Sequence, residues 1–298
     1  MVTDFLHRRA ERLASALYAS DAAEDFTTPF GEASVTDADS VSWQVFRNPL
    51  TMLIGGIAAV LLELGEPRVR AGVWSHSNFR KQPVLRLRRT GMAAMVTVYG
   101  ARSRFERLAA RVRLMHAHVQ GVTPGGEEYH AENPELLRWV QGTAAAAFLA
   151  AFQTYVRPVQ RVERDQYYAE GAVGAAMYGA IEAPASEMAI ARMLAAMHGR
   201  LQPSPVLDEL IAILRDAPIL PLPLRPLQHA LIRAAVDLLP SAERSRLMLG
   251  RHGILRVGEA TLLSSMARAL ERIAVRSSPP AQACVRLGLP YDYLVRRP

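Results

Sequence analysis

The chain is poor in the two residues that most often staple or decorate a small fold. Cys284 is its only cysteine. No intrachain disulfide framework can form, and a reducing, cytoplasmic compartment is the expectation. Lys81 is its only lysine, so nearly all the positive charge behind the net +7 is arginine. Long apolar runs are missing too. The longest apolar run lies between Arg47 and Glu63 and is too short for the ~20 residues of a spanning helix. After Met1 come Asp4, His7, Arg8, Arg9, Glu11 and Arg12 with no apolar stretch among them, so no secretory signal is expected. There is no Walker A sequence, no G-x-G-x-x-G, no G-x-S-x-G and no C-x-x-C-H. Those absences argue against P-loop, dinucleotide, serine-hydrolase and covalent-haem chemistry. The arginines are scattered along the chain without a zinc-finger or RNP pattern. They read as a solvated surface rather than a nucleic-acid interface.

What is present is enough for a sizeable core: 298 residues, 50% hydrophobic and 21% charged. Helical periodicity recurs almost throughout. It predicts helices over 3–19, 49–64, 67–75, 83–98, 101–120, 134–156, 160–178, 184–200, 205–215, 224–238, 241–249 and 257–274. Asn133 before Pro134 reads as an N-cap followed by proline at the first helical position. Gly100 and Gly121 suit left-handed C-caps. No alternating strand is convincing. Residues 20–41 read as a loop or mobile lid, 216–227 as a proline-rich connector and 276–298 as an irregular extension. The expectation is an all-α fold in one multi-helix domain, 1–298, with no internal repeat.

Three helices carry candidate chemistry. On 101–120, Phe105, Leu108, Val112, His116 and Val119 fall on one stripe, which places His116 on an apolar face and turns His118 away. A histidine so placed is either a hydrogen-bonded core residue or a neutral imidazole offered to a metal or haem iron. On 83–98, Arg86, Arg89, Thr90, Ala93 and Thr97 form a polar stripe among apolar neighbours. It either faces solvent or lines a pocket where its donors polarise a bound oxygen species or anion. On 134–156, Gly142 and Ala144–Ala147 let another helix, or a flat cofactor, approach the backbone. Glu127 and His130 have Glu-x-x-His spacing, but a di-iron bundle needs two copies on helices and here there is one.

The order and spacing of these segments carry a resemblance. GEPRVRAGVWSHSNFRKQPVLRLRRT (65–90) is followed by Tyr99-Gly100, HAHVQG (116–121), YHAENPELLRWVQGT (129–143) and LLP (238–240). Over about residues 42–275 the chain resembles the family that includes the latex clearing protein, a rubber oxygenase, and the fungal mycophenolic-acid oxygenase MpaB. The flanks would be an N-terminal helix and loop, 1–41, and a C-terminal extension, 276–298.

The resemblance implies a globin-like helical core, non-covalent haem b, and dioxygen as co-substrate in cleaving carbon–carbon double bonds of isoprenoid chains. It makes His116 the proximal iron ligand and places Arg86, Arg89 and Thr90 on the distal side. Arg86, Trp139 and Thr143 join His116 as expected cofactor contacts. The implied partner is an apolar, alkene-containing small molecule. The rubber enzyme carries lysine at the position of Arg89, where it can cap the iron. Arginine has no electron pair to give, so open coordination is expected here. His76 is the main internal rival ligand, although fixing its own turn suits it equally. Glu63 and Glu66 are the nearby candidates for a carboxylate base. Two other readings stand beside the oxygenase: a non-enzymatic helical haem- or lipid-binding protein, and a haem-free relative.

Overall fold

The computed structural model describes residues 25–296; the helix expected over 3–19 lies outside them. The fold is all-α. In chain order the helices are α1 (Val41–Val45), α2 (Pro49–Glu63), α3 (Pro67–His76), α4 (Pro83–Tyr99), α5 (Arg102–His116), α6 (Pro134–Tyr155), α7 (Arg161–Met177), α8 (Glu187–His198), α9 (Pro205–Asp216), α10 (Arg225–Asp237), α11 (Ser241–Arg246), α12 (Glu259–Leu270), α13 (Pro279–Arg286) and α14 (Tyr293–Arg296). Between α5 and α6 lie β1 (Gln120–Val122) and β2 (Glu128–His130), an antiparallel pair with Gly121 opposite Tyr129.

The starts of the helices are written locally. Asn48, Glu66 and Asn133 each accept a hydrogen bond from a first-turn amide, and each precedes a proline at the first helical position. α2 is apolar almost all round, which marks a central helix. It crosses α6 so closely that a Cβ on Gly55 would lie 2.8 Å from the Phe148 ring and 2.9 Å from its Cα. A Cβ on Gly142 would strike Met193 of α8. The small residues of α6 therefore admit other helices. Around this crossing one cluster gathers α2, α6, α9, α10 and α12. A second is richer in aromatics, with Trp43 edge-on to Tyr99 at 5.0 Å and the Tyr99 hydroxyl donating to the Trp43 carbonyl at 2.7 Å. Val156, Met193 and Leu194 pack against both clusters and join them.

Four local expectations change. The helix expected over 101–120 stops at His116, and the chain turns into the β1–β2 hairpin. Strands of three residues are too short to show alternation, and this pair is secured from outside. A side chain on Gly121 would meet the Tyr129 hydroxyl at 2.8 Å, so the glycine serves close packing in a strand rather than a helix cap. Gly100 does close α4, but with extended dihedrals (φ −63°, ψ 150°) instead of left-handed ones. The stretch after Arg276 contains α13, whose Pro279 and Pro280 sit in its first turn, where no amide is needed. Residues 25–40 form a loop, and it is tied down. Arg286, fully buried, donates to the carbonyls of Glu32 (2.9 Å) and Phe26 (3.1 Å) and to Ser34 Oγ (2.6 Å).

No single helix among the described residues is long and apolar enough to cross a membrane. α2 and α3 together reach that length, but they are bent by 112° at their junction, and α2 is largely buried.

Candidate functional site

The candidate residues meet where α2 ends, α4 begins and α5 ends. Only Met95, Val96, Val98 and Tyr99 of α4 are buried. Its first half, in which Val84, Leu85 and Leu87 alternate with Arg86, Arg88 and Arg89, is partly or fully accessible. The second half anchors the helix in the aromatic cluster; the first projects along a recess.

Three ionisable side chains define that recess. Burial pushes the Glu63 carboxyl up to about 7, against the opposing pull of the Arg86 guanidinium. Burial likewise lowers the Arg86 pKa, with Glu63 opposing and Arg89 adding to the shift. Burial lowers that of His116, with Glu132 opposing and Arg86 adding. The imidazole is therefore held in its neutral form, with a lone pair on one nitrogen. All three side chains keep some accessible surface. They are thus desolvated yet still reachable from solvent.

His116 closes α5 at the end of the apolar stripe, two turns beyond buried Ala109 and three beyond buried Phe105. Its Nδ1 is buried and has no hydrogen-bond partner among the described residues. Native structures rarely leave a buried polar atom so, and each exception calls for an explanation. His118 lies past the helix end, exposed, with Nδ1 2.9 Å from the Leu114 carbonyl.

The polar stripe of α4 divides. Arg86 turns toward Glu63 and donates to Thr90 Oγ1 at 2.5 Å, and the Thr90 hydroxyl donates back to the Arg86 carbonyl at 2.9 Å. Arg89 and Thr90 are exposed at the rim. Trp139 and Thr143, on α6, are fully buried. The Trp139 indole donates to the Glu63 carbonyl at 3.4 Å, and Thr143 donates to the Trp139 carbonyl at 2.8 Å. Trp139 thus packs against the end of α2 that carries Glu63. His76 is exposed, with Nε2 3.3 Å from the Tyr129 hydroxyl. Glu127 and His130 flank and end β2 rather than sharing a helix, and Glu127 accepts from Arg200 at 2.5 Å.

Glu63 is the residue that spacing alone left unranked against Glu66. Glu66 is wholly buried and committed: it accepts from Arg68 at 2.7 Å, from the Val69 amide at 2.9 Å and from Arg200 at 3.4 Å. No cluster of three or more His, Cys, Asp or Glu side chains able to hold a bare metal ion occurs among the described residues.

A helical protein with a neutral histidine and a desolvated arginine facing one recess belongs to a recognisable class. Residues 43–272 match the family model described as "ER-bound oxygenase mpaB/B'/Rubber oxygenase, catalytic domain", and the chain belongs to that family of oxygenase catalytic domains. No curated protein and no solved structure matches the chain.

Proposed function

We propose that the protein is a haem b-dependent oxygenase that uses dioxygen on an apolar, alkene-containing small molecule of isoprenoid- or lipid-like character. The observation that carries this reading is His116. Its imidazole is kept neutral by burial, and its buried Nδ1 lacks a partner among the described residues. A histidine in that condition would fit as the protein ligand of a haem iron, whose remaining nitrogen ligands the cofactor itself brings.

His116 would hold the iron, and Arg86, Arg89 and Thr90 would act from α4. When bound, the haem would supply the activation of dioxygen. The side chains around it orient and electrostatically bias the reactants. Arg86 presents guanidinium donors in a desolvated setting, where a hydrogen bond to an anionic or polarised oxygen counts for more than in water. Thr90 fixes the Arg86 rotamer through the reciprocal pair of hydrogen bonds. Arg89 adds positive field at the rim and, being always protonated, offers donors only. Glu63, with a carboxyl that titrates near neutrality, can hold or accept a proton at the recess. Trp139, whose indole donates to the Glu63 carbonyl, and Thr143, one turn along the same helix, would back the cofactor. Val84, Leu85 and Leu87 of α4, interleaved with its arginines, would contact a substrate without charge.

Purified protein should carry haem b in near-stoichiometric amount, read from a Soret band and iron assay. His116→Ala should lose that haem while its far-UV circular dichroism stays helical; His118→Ala should keep it. A His116→Ala protein with full haem content would overturn the ligand assignment. Oxygen consumption with an alkene substrate separates turnover from mere binding.

A further inference from the structure

A second pocket lies on the opposite side of α4. Arg88 follows Arg86 by two residues, so it projects about 200° around the helix from it, away from the recess. With Arg225 it flanks a cavity of about 280 Å³ whose other walls include Pro218, Ile219, Pro221 and Leu222. Three properties make this a built site rather than a crease.

The first is rigidity. Gln228, 1% exposed, spends its amide on the proline-bearing loop. Its Oε1 accepts from the Leu220 amide at 3.0 Å, and its Nε2 donates to the carbonyls of Leu214 (2.7 Å) and Ala217 (2.8 Å). A buried amide saturated in this way holds its loop in one conformation, and the two prolines restrict it further.

The second is uncompensated charge. Arg88 has no hydrogen bond or ion pair within the described residues, although it is half-buried. Arg225 donates only to the Asp216 carbonyl, at 3.2 Å. Two guanidiniums therefore share one cavity without a carboxylate paired to either. Arg80 with Glu209 and Arg251 with Asp208 show the carboxylate pairing that these two lack.

The third is the apolar wall. Leu222 is 75% exposed and lines the same pocket as the two cations. At the roughly 30 Å³ that a water occupies in the liquid, the cavity has room for about nine groups of that size. That suits an anionic headgroup and a short apolar chain.

We propose that this pocket binds small amphiphilic anions, with the headgroup, a carboxylate or phosphate, between Arg88 and Arg225 and the apolar chain along Ile219 and Leu222. Guanidinium forks match both headgroups in a bidentate manner. The site is separate from the oxygenase reading and does not need haem.

The test is isothermal titration calorimetry of the full chain with sodium octanoate, octyl phosphate and, as the neutral control, 1-octanol. Both anions should bind saturably at one per chain, with octanol at least about tenfold weaker. The tighter of the two anions identifies the headgroup. Arg88→Gln should weaken both about tenfold. Leu222→Ser, at an exposed position that the fold tolerates, should weaken both several-fold. His116→Ala should leave both unchanged. Absence of saturable binding, octanol binding as tightly as octanoate, or full affinity in Arg88→Gln would each overturn the proposal.

Discussion

Glu63 and Glu66 carry the same functional group three residues apart, and their surroundings give them opposite roles. Glu66 meets two arginines and a backbone amide and is a fixed structural anion. Glu63 meets burial first and a cation second, and its carboxyl rises to about 7. The sign of the consequence follows. A carboxyl raised above its unfolded value takes up protons on folding, so its stabilising contribution is complete below about pH 4.5 and is lost as pH climbs toward 7. Glu63→Gln removes that loss. In melts from pH 5 to pH 8 the variant should gain on the wild type as pH rises, by on the order of 1–3 kcal/mol at the upper end. Arg86→Gln should act the other way on the carboxyl. Without the cation that opposes its rise, Glu63 should titrate higher still, readable as a shifted carboxylate band by infrared titration. Parallel pH profiles in wild type and Glu63→Gln would refute the buried-acid assignment.

Among the elements, the α2–α6 crossing sets the position of everything at the site, because α2 ends in Glu63 and α6 carries the Trp139 that bonds to it. The crossing depends on Gly55. An added methyl would press on the Phe148 ring at 2.8 Å and, less avoidably, on its Cα at 2.9 Å. A ring can rotate; a helix backbone can yield only by moving the whole helix. Gly55→Ala should therefore destabilise by about 1–3 kcal/mol in urea denaturation, despite alanine's better helix propensity. A neutral or stabilising result would mean that the helices are less closely packed than this contact implies. The hairpin is the element that periodicity missed. Its six strand residues have no hydrophobic pattern of their own, and Tyr129 fixes it by packing against Gly72 of α3 and across Gly121. The turn residues Thr123, Pro124, Gly125 and Gly126 were the available signal.

At the scale of the molecule, the segments outside the family match hold each other. Arg286, beyond residue 272, reaches Phe26, Glu32 and Ser34, before residue 43. Ser34 in turn donates to the Tyr99 carbonyl at 3.2 Å, and the Arg102 amide donates to the Ala33 carbonyl at 2.9 Å. The two flanks thus clasp the junction of α4 and α5, the helices that bear Arg86 and His116. Arg286→Met would leave three buried or half-buried acceptors without their donor. It should cost about 2–4 kcal/mol and raise hydrogen exchange across residues 26–36. Unchanged exchange there would show that the clasp does not hold the loop.

The sequence by itself determined the fold class, most helix spans to within a few residues, and the stripe that puts His116 on an apolar face. These are properties of local periodicity and of capping residues such as Asn133, and each is written within a turn or two of chain. Only the tertiary structure decided that Arg86 turns inward while Arg89 and Thr90 stay at the rim, for spacing assigns a face and not its depth. It also separated Glu63 from Glu66, because the arginine that completes the Glu66 network, Arg200, lies 134 positions away along the chain. The orphaned Nδ1 of His116 is legible only there as well: an atom is without a partner by virtue of everything folded around it, and no pattern in its own helix records that.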